Sequence, residues 1–280
     1  MIRIELFKQW HRPRTLVTLS AMALFSVVLA VALEATGAGR SERVGDIPLY
    51  IVPSGSGFSL PVIALASTMK FFLPLAVAVF AGEAVAGEAS WGSLRYALAR
   101  PVSRARYLGA KFAVALGLSG AAVLLVPAAA IAVGAIAFGW TPLVAVDGSA
   151  SNAVHVVAAT FGPGAALGRL GLGTLYVAAG MASIFSFAFF LSTLTSRPFV
   201  AVAGGVGLTI LSRVINADYL PGVADLNPYM PNNDVDLWQH LFQSPVQTSG
   251  MVHFLVLQAV YCAVFLPLAW WIFCRKDVMT

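Results

Sequence analysis

The chain of 280 residues is poor in charge, because Asp, Glu, Lys and Arg make up only 10% of it. A soluble domain carries roughly 25% charged residues. Hydrophobic residues instead account for 59% of the chain. This balance excludes a soluble domain of ordinary composition and predicts an integral membrane protein. The length leaves room for about six helices of the roughly 20 apolar residues that cross a bilayer.

Cysteine is nearly absent, and the sequence shows no metal-ligand spacing. Cys262 and Cys274 stand 12 residues apart on one predicted helix, so their Cα atoms lie about 18 Å apart and cannot pair. The sequence also lacks the Gly-x-x-x-x-Gly-Lys-Ser/Thr phosphate-binding loop. We therefore expect no enzyme activity, metal or cofactor on this chain. If ATP drives the protein, another polypeptide must bind it.

Long apolar runs are what the sequence has in abundance, and they predict an all-α fold in one membrane domain. The third run exceeds what a bilayer requires, so we expect it to tilt or to extend beyond the membrane. The fifth is short and depends on Arg213 reaching outward. The predicted spans are 15–34, 58–81, 108–140, 171–195, 199–215 and 251–273.

The distribution of charge predicts the orientation of these spans. With the N-terminus inside, 12 of the 17 Lys and Arg residues fall on the cytoplasmic side, as the positive-inside rule expects. Six spans then place the C-terminus inside as well. The net charge of +5 follows this topology, and we expect no nucleic-acid binding. The twelve cytoplasmic cations are Arg3, Lys8, Arg12, Arg14, Arg95, Arg100, Arg104, Arg106, Lys111, Arg197, Arg275 and Lys276.

Residues 1–14 are typical of a helix that lies on the membrane surface, before Pro13 ends it. Its polar face carries Glu5, Lys8 and Arg12 and would face anionic lipid or a cytoplasmic partner. Arg3 falls within the apolar arc, so its guanidinium would have to extend out of that arc. A lipid anchor and a partner contact both remain open for this helix. The apolar face consists of Ile2, Leu6, Phe7 and Trp10.

The segment 87–111 is basic and carries its own apolar stripe at helical spacing, formed by Trp91, Leu94 and Leu98. Pro101 disfavours helical geometry at the residue before it, so a short surface helix should end there and a membrane helix should follow. A docking surface and a loop held by lipid phosphates are equally consistent with these residues. The five cations of the segment are Arg95, Arg100, Arg104, Arg106 and Lys111.

This segment resembles the cytoplasmic-loop signature of type-2 ABC-transporter permeases. In that family an acidic, glycine-containing run leads into a stretch like Gly-Thr-Leu-Arg and Leu-Leu-x-Arg-Pro-Val-Ser-Arg, followed by Lys. Ser93 stands where Thr is usual and Trp91 precedes the glycine, which are mild departures. The matching residues are Glu83, Gly87-Glu88, Gly92-Ser93-Leu94-Arg95-Tyr96, Leu98-Ala99-Arg100-Pro101-Val102-Ser103-Arg104 and Lys111.

The resemblance implies a membrane subunit of an ATP-driven exporter. The high alanine content and the lack of eukaryotic sorting signals in the sequence suggest a bacterial inner membrane. The resemblance also implies a second permease subunit, identical or paralogous, and two copies of a cytosolic P-loop ATPase that hold ATP and Mg²⁺. The loop 82–107 would be the coupling loop, flanked by the N-terminal helix with Glu5, Lys8 and Arg12. The implied docking residues are Glu83, Glu88, Trp91, Gly92, Ser93, Leu94, Arg95, Leu98, Arg100, Pro101 and Arg104.

Two other functions are weaker alternatives. A secondary transporter should show charged or broken helices near the midplane, and Lys70 is the residue of that kind, either in a substrate path or extended to the outer surface. An intramembrane serine protease would need Ser119, in the run 117–120, within hydrogen-bonding reach of His253. Their predicted depths disagree. The glycines of that run, and Gly204, Gly205 and Gly207, indicate helix packing.

The outer loop 216–250 contains one predicted short helix. Asn232 or Asn233 can cap it, and Asp234 and Asp236 would lie in its first turn, where negative charge is favourable. The loop 35–57 is rich in Gly and Ser and is predicted to be coil, whereas part of 141–170 is apolar enough to lie in the interface. The apolar residues of the short helix are Val235, Trp238, Leu241 and Phe242.

Overall fold

The computed structural model describes residues 2–35, 42–43, 49–51, 57–92, 103–147, 156–216, 221–243, 246 and 248–275. Helices dominate these ranges, and two 3-10 helices, Pro221–Tyr229 and Asp234–Phe242, precede the last α-helix. In chain order the α-helices are α1 (Ile2–Trp10), α2 (Pro13–Ala35), α3 (Ser59–Thr68), α4 (Phe72–Ser90), α5 (Arg104–Phe138), α6 (Pro163–Gly180), α7 (Ala182–Leu194), α8 (Pro198–Asn216) and α9 (Met251–Arg275).

Six helical segments within the described residues are long and apolar enough to cross a membrane, which confirms the predicted number of spans. The fourth of them combines α6 and α7. The third is the single helix α5, whose 35 residues extend about 52 Å against a hydrocarbon core of about 30 Å. The predicted excess length of this span is therefore confirmed. The segments are Pro13–Ala35, Phe72–Ser90, Arg104–Phe138, Pro163–Leu194, Pro198–Ile215 and Met251–Arg275.

The second span is broken, although the sequence predicted one continuous helix over 58–81. Helix α3 ends at Thr68, a turn follows, and α4 begins at Phe72 and continues to Ser90. The physical reason is Pro74, which has no N–H to donate to the carbonyl four residues earlier and whose ring clashes with that carbonyl. The carbonyl concerned belongs to Lys70, and it accepts a hydrogen bond from Nε of Arg213 on α8 at 3.1 Å.

The fourth span also contains a break, at Met181 between α6 and α7. Gln258 of α9 is buried at this break and its Oε1 accepts the backbone N–H of Ser183 at 3.1 Å. The same side chain donates through Nε2 to the carbonyl of Pro231 at 2.6 Å. Gln258 thus satisfies a helix-start N–H group that lacks a partner within its own helix and links the break to the segment between the two 3-10 helices.

The centre of the bundle is α4, which packs against α5, α7 and α8. Small residues allow the close approach of these helices. A Cβ atom on Gly82 would lie 2.9 Å from the backbone nitrogen of Val202, and one on Gly205 would lie 3.0 Å from the Cβ atoms of Ala78 and Ala188. The packing role predicted for Gly205 is confirmed.

The other predicted packing glycines differ in their surroundings. Gly204 lies against Leu191, so its predicted packing role is also confirmed. Gly207 has no described atom within 4 Å of the position a Cβ would occupy, and the same is true of Gly117 and Gly120. The prediction of close helix contacts is therefore wrong for these three glycines within the described chain, because their side of the helix faces open space.

The two loops at the far end of α5 carry short strands, where the sequence predicted coil or interfacial chain. They are β1 (Glu42–Arg43), β2 (Leu49–Ile51), β3 (Leu143–Asp147) and β4 (Val156–Phe161), paired antiparallel in that order. β3 and β4 are rich in Val, which favours extended backbone. Apart from these short strands, the regular structure of the described residues is helical, as the sequence predicted.

Contacts between distant elements place the two ends of the described chain at the same end of the bundle. Nη1 of Arg104, at the start of α5, donates to the carbonyl of Cys274 near the end of α9 at 3.3 Å. The rings of Tyr107 and Phe273 stack with centroids 6.1 Å apart. Helix α1 contacts α5 at this same end. We call this the terminal end, and the opposite one the sheet end.

Candidate functional site

A cluster of buried charges lies at the terminal end, centred on Glu88 in the last turn of α4. Glu88 is only 3% exposed. Its Oε1 lies 2.7 Å from Nζ of Lys111 on α5 and also accepts from Nζ of Lys8 on α1. Its Oε2 accepts the hydroxyl of Tyr107. Tyr107 and Lys111 stand four residues apart and therefore on one face of α5, which is why both reach this carboxylate.

Lys111 extends the cluster back to α1. It is 2% exposed, and its Nζ lies 2.5 Å from Oε1 of Glu5 as well as near Glu88. Glu5 and Lys8 are three residues apart and share a face of α1. The alternating charges Lys8, Glu88, Lys111 and Glu5 form what we call the ion-pair cluster. A buried charge is tolerable only when paired, so these contacts fix α1 against both α4 and α5.

A second ion pair lies beside the cluster, between Nε of Arg14 and Oε2 of Glu83 at 2.7 Å. The missing side chain of Gly87 makes room here, since a Cβ atom on Gly87 would lie 3.4 Å from Nη2 of Arg14 and 3.8 Å from Nη1 of Arg12. Burial, followed by the charge of Arg14, lowers the pKa of Arg12. Two guanidinium groups therefore share the surface of α4 next to the cluster.

Most of the predicted docking residues follow the end of α4. Trp91 is 83% exposed, and Gly92 has φ +67°, a conformation that favours glycine. Helix α5 begins at Arg104, after Ser103 in extended conformation. Arg104 is joined to α9 through the carbonyl of Cys274. Six predicted docking residues lie outside the described residues: Ser93, Leu94, Arg95, Leu98, Arg100 and Pro101.

The structure corrects three expectations about this end. Glu83 and Glu88 lie within helix α4, not in a loop that starts at 82, because α4 continues to Ser90. Helix α4 ends at Ser90 and helix α5 begins at Arg104. Arg12 lies in the turn after α1, since that helix ends at Trp10.

The polar face of α1 is the third correction. The sequence predicted that Glu5 and Lys8 would face lipid or a partner, but both side chains are occupied by the ion-pair cluster. The exposed side of α1 is apolar, with Ile4 at 72% and Phe7 at 68% exposure. The reason is that buried Glu88 and Lys111 need partners of opposite charge, and α1 supplies them.

Sequence reasoning missed the part that Tyr107 and Lys111 play in this site. Lys111 matched the family signature, and Tyr107 was not singled out at all. The available signal was their spacing of four residues at the start of a predicted span, with Glu88 at the end of the preceding one. Ionisable groups at those positions usually pair with one another.

Lys70 lies at the sheet end, in the break between α3 and α4. Its Nζ is 3.7 Å from Oδ1 of Asp236 in the 3-10 helix Asp234–Phe242. In that helix Trp238 is buried and its Nε1 donates to Sδ of Met69 at 3.0 Å. Lys70 therefore connects the break between α3 and α4 to the 3-10 helix Asp234–Phe242. Its predicted place in a substrate path stays a prediction.

The short helix predicted in loop 216–250 is confirmed as the 3-10 helix Asp234–Phe242, with Val235, Trp238 and Phe242 buried. The predicted asparagine cap is wrong. Asn233 precedes the helix but makes no side-chain capping bond. Its Nδ2 instead donates to the backbone carbonyl of Asn227 at 3.2 Å, which holds the two 3-10 helices together.

The two residues weighed for a protease are not joined. Ser119 is buried and its Oγ has no hydrogen-bond partner within the described part of the chain. His253 is exposed in the first turn of α9. A nucleophile needs its base within hydrogen-bonding reach, and this pair does not provide one.

The fold is that of a multi-pass helical membrane protein with paired charges buried at one end. The chain belongs to the family described as "Protein of unknown function (DUF2705)", which it matches over residues 46–279. It is also 24% identical over 234 residues to the uncharacterized protein YhcI of Bacillus subtilis (strain 168), an alignment that covers 81% of this chain and 72% of that relative.

Proposed function

We propose that this chain is the transmembrane permease subunit of an ATP-driven exporter. In this proposal it pairs with a second permease subunit, identical or paralogous, and two cytosolic P-loop ATPase subunits supply ATP hydrolysis with Mg²⁺. The chain itself carries no catalytic step. Its task is to convert a movement imposed at the terminal end into a movement of the spans.

The observation that carries the proposal is the placement of the ion-pair cluster around the signature segment. Residues 93–102 connect α4 to α5, and the cluster joins these two helices within one turn of Ser90 and two turns of Arg104. The cluster also holds α1 beside them. A force applied to the segment by a partner would therefore move α1, α4 and α5 together as a rigid body, as coupled domain movements require.

The contacts at the start of α5 extend this connection to the last span. Arg104 donates to the carbonyl of Cys274, and Tyr107 stacks on Phe273. Tyr107 also binds Glu88. A docking surface at residues 93–102 would thus act on α9 as well as on α4 and α5.

The proposed orientation places the terminal end in the cytoplasm of a bacterial cell and the sheet end outside. The support is the cation asymmetry of the sequence, which follows the positive-inside rule. Substrate would pass between the two permease subunits, with the 3-10 helices near the outer exit. Glu5 and Lys8, occupied within the chain, would position the docking surface without contacting the ATPase.

A secondary transporter is the second candidate, because two spans are broken. Transporters of that class bind substrate where discontinuous helices expose backbone groups near the midplane. Here the breaks lie at 69–71 and at Met181. The carbonyl of Lys70 is bonded to Arg213, however, and the N–H of Ser183 is bonded to Gln258. Because these backbone groups already have partners, they are less suited to binding an ion or substrate. This favours the exporter over the secondary transporter.

The test is to purify the tagged chain in mild detergent from its native membrane and identify stoichiometric partners by mass spectrometry. We expect a soluble P-loop ATPase, lost in Leu94→Asp and retained in Leu94→Met. Arg197→Glu, an exposed cation at the terminal end outside the signature segment, is the matched charge control and should retain it. Absence of any ATPase from an intact wild-type preparation would overturn the proposal in favour of a secondary transporter.

A further inference from the structure

A groove of about 590 Å³ lies at the terminal end between α1 and the base of α5. Its size falls within the range of small-ligand sites, roughly 300–1,000 Å³. Two arginines line it, one from each helix, and its remaining lining is apolar and small. The lining residues are Ile2, Arg3, Arg106, Gly109 and Ala110.

Unlike the neighbouring cations, these two arginines have no carboxylate partner among the residues that the structure describes. Lys8, Arg14 and Lys111 each form an ion pair within the terminal end. Neither Arg3 nor Arg106 has an ion pair or hydrogen bond in the described part of the chain. Two guanidinium groups from different helices therefore line one groove, and no described carboxylate pairs with either of them. Phosphate oxygens are favoured partners for guanidinium groups.

Aromatic residues of α9 place this groove at the membrane surface. A Cβ atom on Gly109 would lie 3.7 Å from Cζ2 of Trp270. The next residue, Trp271, is exposed and has the guanidinium of Arg275 4.6 Å above its ring. Tryptophan and arginine at a helix end are typical of the headgroup level of a bilayer. A ligand in the groove can therefore have its charged part at this level and its apolar part in the hydrocarbon.

The groove also explains why an arginine is found at position 3, within the apolar arc of α1. An arginine in the apolar arc of a surface helix is costly unless its charge reaches water or a counter-charge. Arg3 lies beside the exposed apolar side chain of Ile2 and lines the same groove as Arg106. A lipid phosphate above an apolar floor would satisfy both the charge and the surrounding apolar surface.

We propose that this groove binds one anionic glycerophospholipid, with the phosphate held by Arg3 and Arg106 and an acyl chain along Gly109 and Ala110. Basic pockets between spans bind anionic headgroups in the same physical way. The bound lipid would be a second connection between α1 and α5, in addition to the ion-pair cluster. This inference needs only a membrane location and is independent of any ATPase.

The experiment uses the purified, delipidated full chain in detergent, titrated with phosphatidylglycerol or phosphatidylcholine and observed by native mass spectrometry. We expect one phosphatidylglycerol bound at least about tenfold more tightly than phosphatidylcholine. Each arginine should contribute roughly fivefold in affinity. R3Q and R106Q should each weaken binding by about that factor, and the double variant by about 25-fold. Arg197→Gln removes an exposed cation at the same end and should leave binding unchanged.

Only a lipid would also contact the apolar floor of the groove, formed by Gly109 and Ala110, so changes to this floor distinguish a bound lipid from a bound free anion. Gly109→Leu keeps both arginines and fills the floor, so it should weaken phosphatidylglycerol binding. Glycerol phosphate, the headgroup chemistry without acyl chains, should fail to compete at lipid-like concentrations. The proposal is overturned if the two lipids bind equally, if the arginine variants bind normally, or if glycerol phosphate competes fully. The single variants keep the test decisive if the double variant does not fold.

Discussion

The carboxylate of Glu88 and the ammonium group of Lys111 lie 2.7 Å apart, both almost completely buried, and join the end of α4 to the start of α5. The residues between them include the segment 93–102, whose sequence resembles a coupling loop. A buried ion pair is a poor source of net stability compared with apolar packing, but loss of one partner is costly. The pair is therefore suited to keeping two helices in a fixed relation.

Removal of one partner of this pair should destabilise the protein more than removal of both. Glu88→Gln or Lys111→Met deprives a buried charge of one of its two charged partners, and a buried charge left with no partner typically costs about 3–5 kcal/mol. Each single variant retains one other contact, with Glu5 or Lys8, so we expect the lower end of that range. The double variant should recover part of the loss. Thermal unfolding of the four proteins in detergent measures this double-mutant cycle; additive effects of the two changes would contradict the pairing.

Helix α1 should depend on its two charged residues for its attachment to the bundle. No residue of α1 is buried, so Glu5 and Lys8 supply the main polar contacts through Lys111 and Glu88. Glu5→Gln combined with Lys8→Met should raise hydrogen exchange across 2–10 by tenfold or more, because local opening is governed by such contacts.

The matched control for α1 is Glu34→Gln, which removes an exposed carboxylate near the sheet end of α2. It should leave exchange in α1 at the wild-type rate. Unchanged exchange in the Glu5 and Lys8 double variant would mean that the apolar side of α1, held by detergent or lipid, is sufficient for its attachment.

Two glycines of α8 should respond in opposite ways to the same substitution. Gly205→Ala places a methyl group 3.0 Å from the Cβ atoms of Ala78 and Ala188, so the helices must separate slightly and we expect a loss of about 1–3 kcal/mol. Gly207→Ala meets open space and should stabilise the helix by about 0.5–1 kcal/mol. Thermal unfolding of both variants measures the difference. Equal effects would show that backbone propensity, and not helix contact, decides the outcome.

Hydrophobic patterning was sufficient to predict the number of spans and the short helix around Trp238. A run of about 20 apolar residues has few alternatives to a membrane helix, and the spacing of Val235, Trp238 and Phe242 defines one buried face. The partners of Glu88 could not be predicted in the same way. Lys8 stands 80 residues away along the chain, and no local pattern specifies a contact over that separation.

The two helix breaks also show that contacts between distant residues cannot be predicted from local sequence. The hydrophobic run predicted a continuous helix over 58–81, but Pro74 lies within it, and the loss of its N–H and the clash of its ring explain the break near residue 70. The break at Met181 has no proline. It depends on Gln258, a residue of another helix, which bonds the N–H of Ser183. Local chemistry explains the first break, whereas only the packed structure explains the second.

The hydrogen bond from Arg213 to the carbonyl of Lys70 should stabilise the fold only because Pro74 has no N–H to bond that carbonyl. Arg213→Gln removes the donor at 3.1 Å and leaves a carbonyl that the helix cannot bond, at a cost of about 1–3 kcal/mol. Pro74→Ala restores an N–H four residues after Lys70 and allows α3 and α4 to join. In the Pro74→Ala background, Arg213→Gln should therefore cost clearly less than in the wild type.

Thermal unfolding of the wild type, the two single variants and the double variant tests this coupling between positions 74 and 213. Arg213→Gln also removes a positive charge, so Asp236→Asn serves as the control for electrostatics at the sheet end, because that carboxylate lies 3.7 Å from Nζ of Lys70. Its effect should be the same with Pro74 or Ala at position 74. If Arg213→Gln were equally costly in both backgrounds, its charge and not the freed carbonyl would account for the interaction. The break in the second span would then not depend on the hydrogen bond donated by Arg213 of α8.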